Sequence, residues 1–473
     1  MRALLVSTYE LGRQPFGLAS PAAWLRGAGW DVTCVDAAKE PLGRDTIERA
    51  DLVGFHLPMH TATRLAGPII SKVRTINPSA RVCAYGLYAP LNGDWLRSLG
   101  VDAVFGGEFE EELTQYAGLK ACTTIDNSRS AGHQARPTAD LKVRTTSVPR
   151  IHFLVPDRAG LPPLQRYATL HVGDGRQKVV GSTEASRGCK HLCRHCPVVP
   201  IYGGQFRVVP PEVVLADIDA QVEAGAEHIT FGDPDFFNGP THAMRVVDAL
   251  HAAHPDVTYD VTIKVEHLLN HRDLLGRLVA TGCAFVTSAV ESIDEAVLNR
   301  LEKGHTRQDF VDAVSACREA KLTFVPTFVA FHPWLTLDGY CDLLDLIERL
   351  DLVDHVAPIQ LAIRLLIPEG SRLLELDDVR ALVGPFDGAT LAYPWVHPDA
   401  RVDDLHRELA RLVGVRLVDD RRAMFDEIAA IAYARAARPP RLAAPRRERS
   451  IVPHLSEPWY CCAEPNPDHL TLV

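Results

Sequence analysis

The chain has 473 residues, 47% of them apolar and 23% charged, with a formal net charge of −10. That length suggests two to four domains, and that composition a globular protein. The acidity argues against a nucleic-acid partner, and no run of eighteen apolar residues is present to span a membrane.

Residues 1–120 alternate strand and helix patterns. The opening M-R-A-L-L-V-S is too short an apolar run for a signal peptide. Strands are expected at residues 3–7, 31–35, 52–57, 81–86 and 103–105. A helix is expected over 20–29, with Gly29 as its C-cap. Strands separated by helices imply a doubly wound, Rossmann-like parallel sheet, whose ligands sit at the C-terminal strand ends. No G-x-G-x-x-G is present, so a dinucleotide is not expected. Residues 121–177 are rich in Ser, Arg, Thr and Pro, which predicts a linker.

Residues 178–375 repeat a strand–helix unit about six times. Strands are expected at 179–183, 228–232, 259–264, 285–290, 324–330 and 359–366. Helices fall at 211–224, 241–253, 268–281, 295–301, 307–320 and 337–350. Six such units predict an open (β/α)6 partial barrel with its active site at the C-terminal mouth of the strands. Residues 376–473 are expected to form a mainly helical module, helical over 402–434.

Just after the first barrel strand comes S-R-G-C-K-H-L-C-R-H-C, residues 186–196. Cys189, Cys193 and Cys196 stand at C-x3-C-x2-C. Three thiolates on one short loop can each hold one iron of a cubane cluster and leave the fourth iron open to a substrate. Zinc held by the three cysteines with His191 or His195 is the competing assignment. The eleven cysteines form no disulfide framework, which suits a reducing cytoplasm.

This motif resembles that of the radical SAM superfamily. The resemblance implies a [4Fe-4S] cluster, S-adenosylmethionine (SAM) and an electron donor such as flavodoxin or ferredoxin. The N-terminal domain looks like the cobalamin-binding domain of one large subgroup, although the D-x-H-x-x-G motif is absent. Either the domain holds cobalamin without a protein ligand to cobalt, or it is a degenerate domain that only packs against the core.

Other candidates lie at the strand ends. F-G-D-P-D-F (231–236) resembles the family's receiver of the SAM amino group, with Gly232 for close approach and Asp233 as carboxylate; a plain turn is the alternative. Lys264 and Glu266 are either an ion pair or a substrate contact. Ser288 to Ser292 with Lys303-Gly304 resembles the family pattern in which Glu291 and its neighbours meet SAM. Arg364 could hold a carboxylate, and His195 stands where the family has an aromatic near the adenine.

The tail, W-Y-C-C-A-E-P (459–465), holds the vicinal pair Cys461 and Cys462. It resembles the CCAEP/CUAEP group of radical SAM proteins. That resemblance implies arsinothricin-type chemistry: Cys461 and Cys462 bind arsenite, and a 3-amino-3-carboxypropyl group passes from SAM to arsenic. Two alternatives are a cobalamin-dependent methyltransferase and a non-catalytic iron–sulfur or arsenic-binding protein.

Overall fold

The structure is a computed structural model and describes residues 1–119, 150–173, 175–415, 420–439 and 452–457. Two parallel sheets face one another across a seam. The first contains β1 (Arg2–Ser7), β2 (Asp31–Asp36), β3 (Leu52–His56), β4 (Arg81–Tyr85) and β5 (Ala103–Phe105). Its order is β2-β1-β3-β4-β5, and every pair is parallel. Helices cover both faces and enclose two apolar cores, one built on Leu4, Val6 and Phe55, the other on Leu5, Leu18 and Tyr85.

The first helix, Phe16–Gly27, begins four residues earlier than the sequence predicts. Pro21 reads as a helix start because it lacks an N–H, yet it lies inside. The carbonyl it leaves free, that of Gly17, accepts a 3.0 Å hydrogen bond from the buried Tyr85 hydroxyl instead. Gly29, at φ +82°, follows the helix as expected.

The second sheet begins with β6 (Thr169–His171) and β7 (Gln177–Thr183). A small hairpin of β8 (Ser186–Gly188) and β9 (Phe206–Val208) follows. The sheet then continues through β10 (His228–Phe231), β11 (Thr258–Thr262), β12 (Cys283–Glu291) and β13 (Phe324–Phe328), and closes with β14 (His454–Leu455). Its order is β13-β12-β11-β10-β7-β6-β14; β7 and β10–β13 are parallel, and β6 and β14 are antiparallel additions.

The expected sixth strand over 359–366 is not formed. Residues Pro358–Leu361 make a 3-10 turn, and Arg364 makes one isolated bridge to Phe331. Pro358 has no N–H to give, and the Gln360 side chain takes the Phe328 N–H at the sheet edge. The barrel therefore has five parallel strands.

Two expected helices are each two. The 268–281 stretch breaks at His271 into Val265–Asn270 and Arg272–Ala280. The 402–434 stretch becomes Ala400–Val415 and Arg421–Arg435, the second capped by the Asp420 carboxylate. Among the described residues no helix is long and apolar enough to cross a membrane.

Arg158 staples the units together. Its guanidinium donates to both oxygens of the buried Asp217 at 2.7 and 2.9 Å, to Gln14 of the N-terminal unit and to the Ser182 carbonyl of β7.

Candidate active site

The cysteine loop is built outward from β7. Asp233, buried at the end of β10, accepts from the Ala185 N–H at 2.9 Å and from Ser186 Oγ at 2.5 Å. Asn238 brackets the next turn, donating to the Gly188 carbonyl and accepting from the Lys190 N–H. Gly188, at φ +77°, has no room for a side chain: a Cβ would lie 2.4 Å from the Tyr202 ring. Cys193 is buried, Cys189 and Cys196 are half-buried, and none of the three is in a disulfide.

Beside them lies a buried ionic group. Glu291 Oε1 meets His195 Nε2 at 3.1 Å and Lys303 Nζ at 3.4 Å. Burial pushes the Glu291 carboxyl up, but Lys303 and His195 outweigh it and hold it at about 2. Lys303 also feels the sulfurs of Cys193 and Cys196, and its ammonium is held above its ordinary range.

The other predicted residues are placed as follows. Asp233 spends both oxygens on the cysteine loop. Gly232 donates its N–H to the Thr183 carbonyl at 2.8 Å and lines the cavity described below. Lys264 and Glu266 pair at 3.5 Å. Ser288 is buried with its hydroxyl unpartnered. Arg364 bonds Asp403 at 2.8 Å and stacks 3.5 Å over Trp395. Cys461 and Cys462 lie outside the described residues.

A cavity of about 230 Å³ opens between the C-terminal ends of both sheets. Glu10, Arg13, His56, Glu184 and Arg187 give it a charged lining. His56 Nδ1 lies 3.2 Å from Glu10 Oε2. Gly17 makes room for that ring, since a Cβ there would come within 2.0 Å of it. Arg187, within the cysteine motif, pairs with Glu108, Glu110 and Glu184 at 3.0, 2.7 and 2.8 Å. Burial raises the Glu108 carboxyl against the pull of Arg187. One guanidinium thus serves three carboxylates at the seam. Sequence reasoning missed this cluster; its one signal was an Arg inside a metal-ligand motif facing acidic residues at the end of β5.

The rim is finished by the C-terminal segment. β14 pairs with β6, and the Glu457 carboxylate accepts from the Tyr9 hydroxyl. Gly12, at φ +67°, lies against that carboxylate, with no space for a Cβ.

Residues 183–347 match the family model of the radical SAM superfamily. That stretch is similar to the radical SAM superfamily. The bacteriochlorophyllide d C-8(2)-methyltransferase of Chlorobaculum tepidum is 25% identical over 211 residues, 41% of this chain and 46% of that protein. The chain therefore spans less than half of that relative's length. Among solved structures, the cobalamin-dependent SAM radical enzyme OxsB, with aqua-cobalamin and SAM bound, superposes with a TM-score of 0.65 at 14% identity, covering 87% of this chain and 66% of that one. The radical SAM methyltransferase TsrM of Kitasatospora setae, with cobalamin and a [4Fe-4S] cluster bound, gives 0.59 at 18% identity, covering 81% and 76%. At these identities the two structures share the fold with this chain.

A radical SAM domain implies a [4Fe-4S] cluster and SAM, and the donor set fits a cluster. A single zinc ion would need its thiolates about 3.8 Å apart, from Zn–S bonds near 2.3 Å. Among the described residues, the group whose ligand atoms all lie within 4.8 Å of one another is His191, Asp235 and His267, and the cysteines do not form such a group. His191 and His195 are both engaged elsewhere.

Proposed function

We propose that this chain is a radical SAM transferase that moves a SAM-derived alkyl group onto a small substrate held at the seam cavity. The observation that carries the reading is the buried Glu291–His195–Lys303 group set beside Cys193 and Cys196 at the ends of the parallel strands. When bound through Cys189, Cys193 and Cys196, a [4Fe-4S] cluster supplies the electron that breaks a carbon–sulfur bond of SAM.

The protein's own groups have distinct tasks. Glu291 uses Oε1 for Lys303 and His195, leaving Oε2 for a hydroxyl or ammonium of SAM. Lys303, fixed beside Cys193 and Cys196, offsets the negative charge gathered on the loop. Asp233 and Asn238 hold that loop in shape. Glu457, anchored on Tyr9 at the rim, is four residues before Cys461. An extended chain covers at most roughly 13–14 Å in four residues, and the proposal uses that reach for the thiol pair. Two soft thiolates select a soft substrate such as trivalent arsenic. The specific form of the proposal is transfer of a 3-amino-3-carboxypropyl group to arsenite.

A second reading is cobalamin-dependent methyl transfer, which the cobalamin-bound OxsB and TsrM folds and the Chlorobaculum methyltransferase favour. The cavity between the C-terminal ends of the two sheets is where this reading would place the cofactor. No step is assigned to cobalamin.

The test is anaerobic incubation with SAM, reductant and arsenite, with mass spectrometry of all SAM-derived products. Methylthioadenosine and an alkylated arsenic species are expected. S-adenosylhomocysteine with 5′-deoxyadenosine would replace this reading with methyl transfer, and intact SAM would end both.

A further inference from the structure

Next to the cysteine loop, but outside the proposed SAM contacts, three side chains converge without an organic explanation. His191, between Cys189 and Cys193, directs Nε2 to within 3.2 Å of His267 Nε2 and 3.6 Å of Asp235 Oδ2. The two rings are tilted at 54° rather than stacked. Asp235 is completely buried and His267 nearly so.

The polar bookkeeping here does not close within the protein. Asp235 Oδ1 accepts from the backbone N–H groups of Phe237 and Lys264, which fix the carboxylate. Its Oδ2 has no hydrogen-bond partner, nor does His267 Nδ1. These two atoms lie 2.7 Å apart, yet not in the direction a hydrogen bond requires. A buried carboxylate oxygen left this way is costly unless a cation satisfies it.

From these contacts we infer that His191, Asp235 and His267 form a mononuclear site for a first-row divalent cation, zinc or ferrous iron. Bonds of about 2.1 Å at tetrahedral angles place ligand atoms about 3.4 Å apart; His191 Nε2 stands 3.2 Å from His267 Nε2 and 3.6 Å from Asp235 Oδ2, all three ligand atoms lie within 4.8 Å of one another, and the His267 ring would turn to relieve its 2.7 Å Nδ1 contact with Asp235. Two imidazoles and a carboxylate suit those metals, and three protein ligands leave a position open to water or substrate. Glu266 Oε2 lies 3.8 Å from His191 Nδ1, the ring nitrogen that faces away from the proposed ion. The ion would tie the cysteine loop to the ends of β10 and β11. This inference does not depend on which SAM bond is broken.

The experiment uses the full chain with its cluster loaded. The protein is supplied anaerobically with zinc sulfate or ferrous salt and desalted; zinc, iron and sulfide are then counted. One divalent ion per chain beyond the cluster iron is expected. Asp235→Asn and His267→Ala should weaken zinc by roughly 10- to 100-fold, with the cluster's visible absorbance unchanged. Zinc K-edge absorption of the unmutated protein should show nitrogen and oxygen ligands alone, which guards against variants that fail to fold. Mössbauer spectra of the iron-loaded sample would distinguish a lone ferrous ion from cluster iron. Retention of no extra metal, equal retention in both variants, or a sulfur shell near 2.3 Å would overturn the site and leave a hydrogen-bonded His–His–Asp chain.

Discussion

Lys303 and Glu291 form a buried ion pair, Nζ to Oε1 at 3.4 Å, and Glu291 makes it from a left-handed backbone at φ +66°. A non-glycine residue persists there only when its surroundings hold it. Removing Lys303 as Lys303→Met strands a buried carboxylate and should cost about 3–5 kcal/mol of stability, read by denaturant unfolding. Glu291→Ala should weaken SAM by about 1–3 kcal/mol, the scale of a lost charge-assisted hydrogen bond. Unchanged SAM affinity in equilibrium dialysis would return Glu291 to a packing role.

Replacing any one of Cys189, Cys193 and Cys196 by Ala should abolish the broad thiolate-to-iron absorbance and all SAM cleavage. A full cluster in the triple variant would show that the ligands lie elsewhere.

Asp233 gives the loop a pH dependence. Burial raises its carboxyl to about 7, against the hydrogen bonds from Ser186 and Ala185. Its folded pKa is above the unfolded one, so the folded chain keeps a proton that the unfolded chain releases. The resulting stability is complete below about pH 4 and is lost as pH rises through about 7. Urea midpoints over this range should fall with pH in the parent and less steeply in Asp233→Asn. Parallel slopes in the two proteins would assign the titration to another group.

Truncation before Trp459 should leave the cluster and SAM binding intact and stop product formation, because Glu457 and β14 remain to complete the rim. Product at the parental rate from the truncated chain would remove the tail from the chemistry, and the arsenic reading with it.

The sequence made the repeating architecture legible because parallel strands buried on both faces read as apolar runs, as at residues 3–7 and 228–231. It misled at 359–366, where an equally apolar run follows a proline and the neighbouring edge is already taken by Gln360. The short strands β6, β8, β9 and β14 carry too few residues for a period. At the site, spacing alone picked out the cysteines, since three ligands on one loop leave a local pattern. The pairing of Arg187 with Glu108 and Glu110 joins residues almost eighty positions apart, and no local pattern encodes it. The charge of Arg364 is legible in the sequence, but its partners Trp395 and Asp403 lie more than thirty positions away.

The contact between Tyr9 and Glu457 spans 448 positions of sequence, which bears on the order of biosynthesis. The three cysteines have been made by residue 196, Asp233 and Asn238, which hold their loop, by residue 238, and the parallel strands by residue 328. Until residue 457 emerges and finds Tyr9, the rim stands open. Closing so long a loop is entropically little worse than closing one half as long, because the cost grows only with the logarithm of length. A nascent chain therefore presents its three thiols to whatever delivers iron and sulfide during the whole synthesis of its last third. The seal over the site is added last.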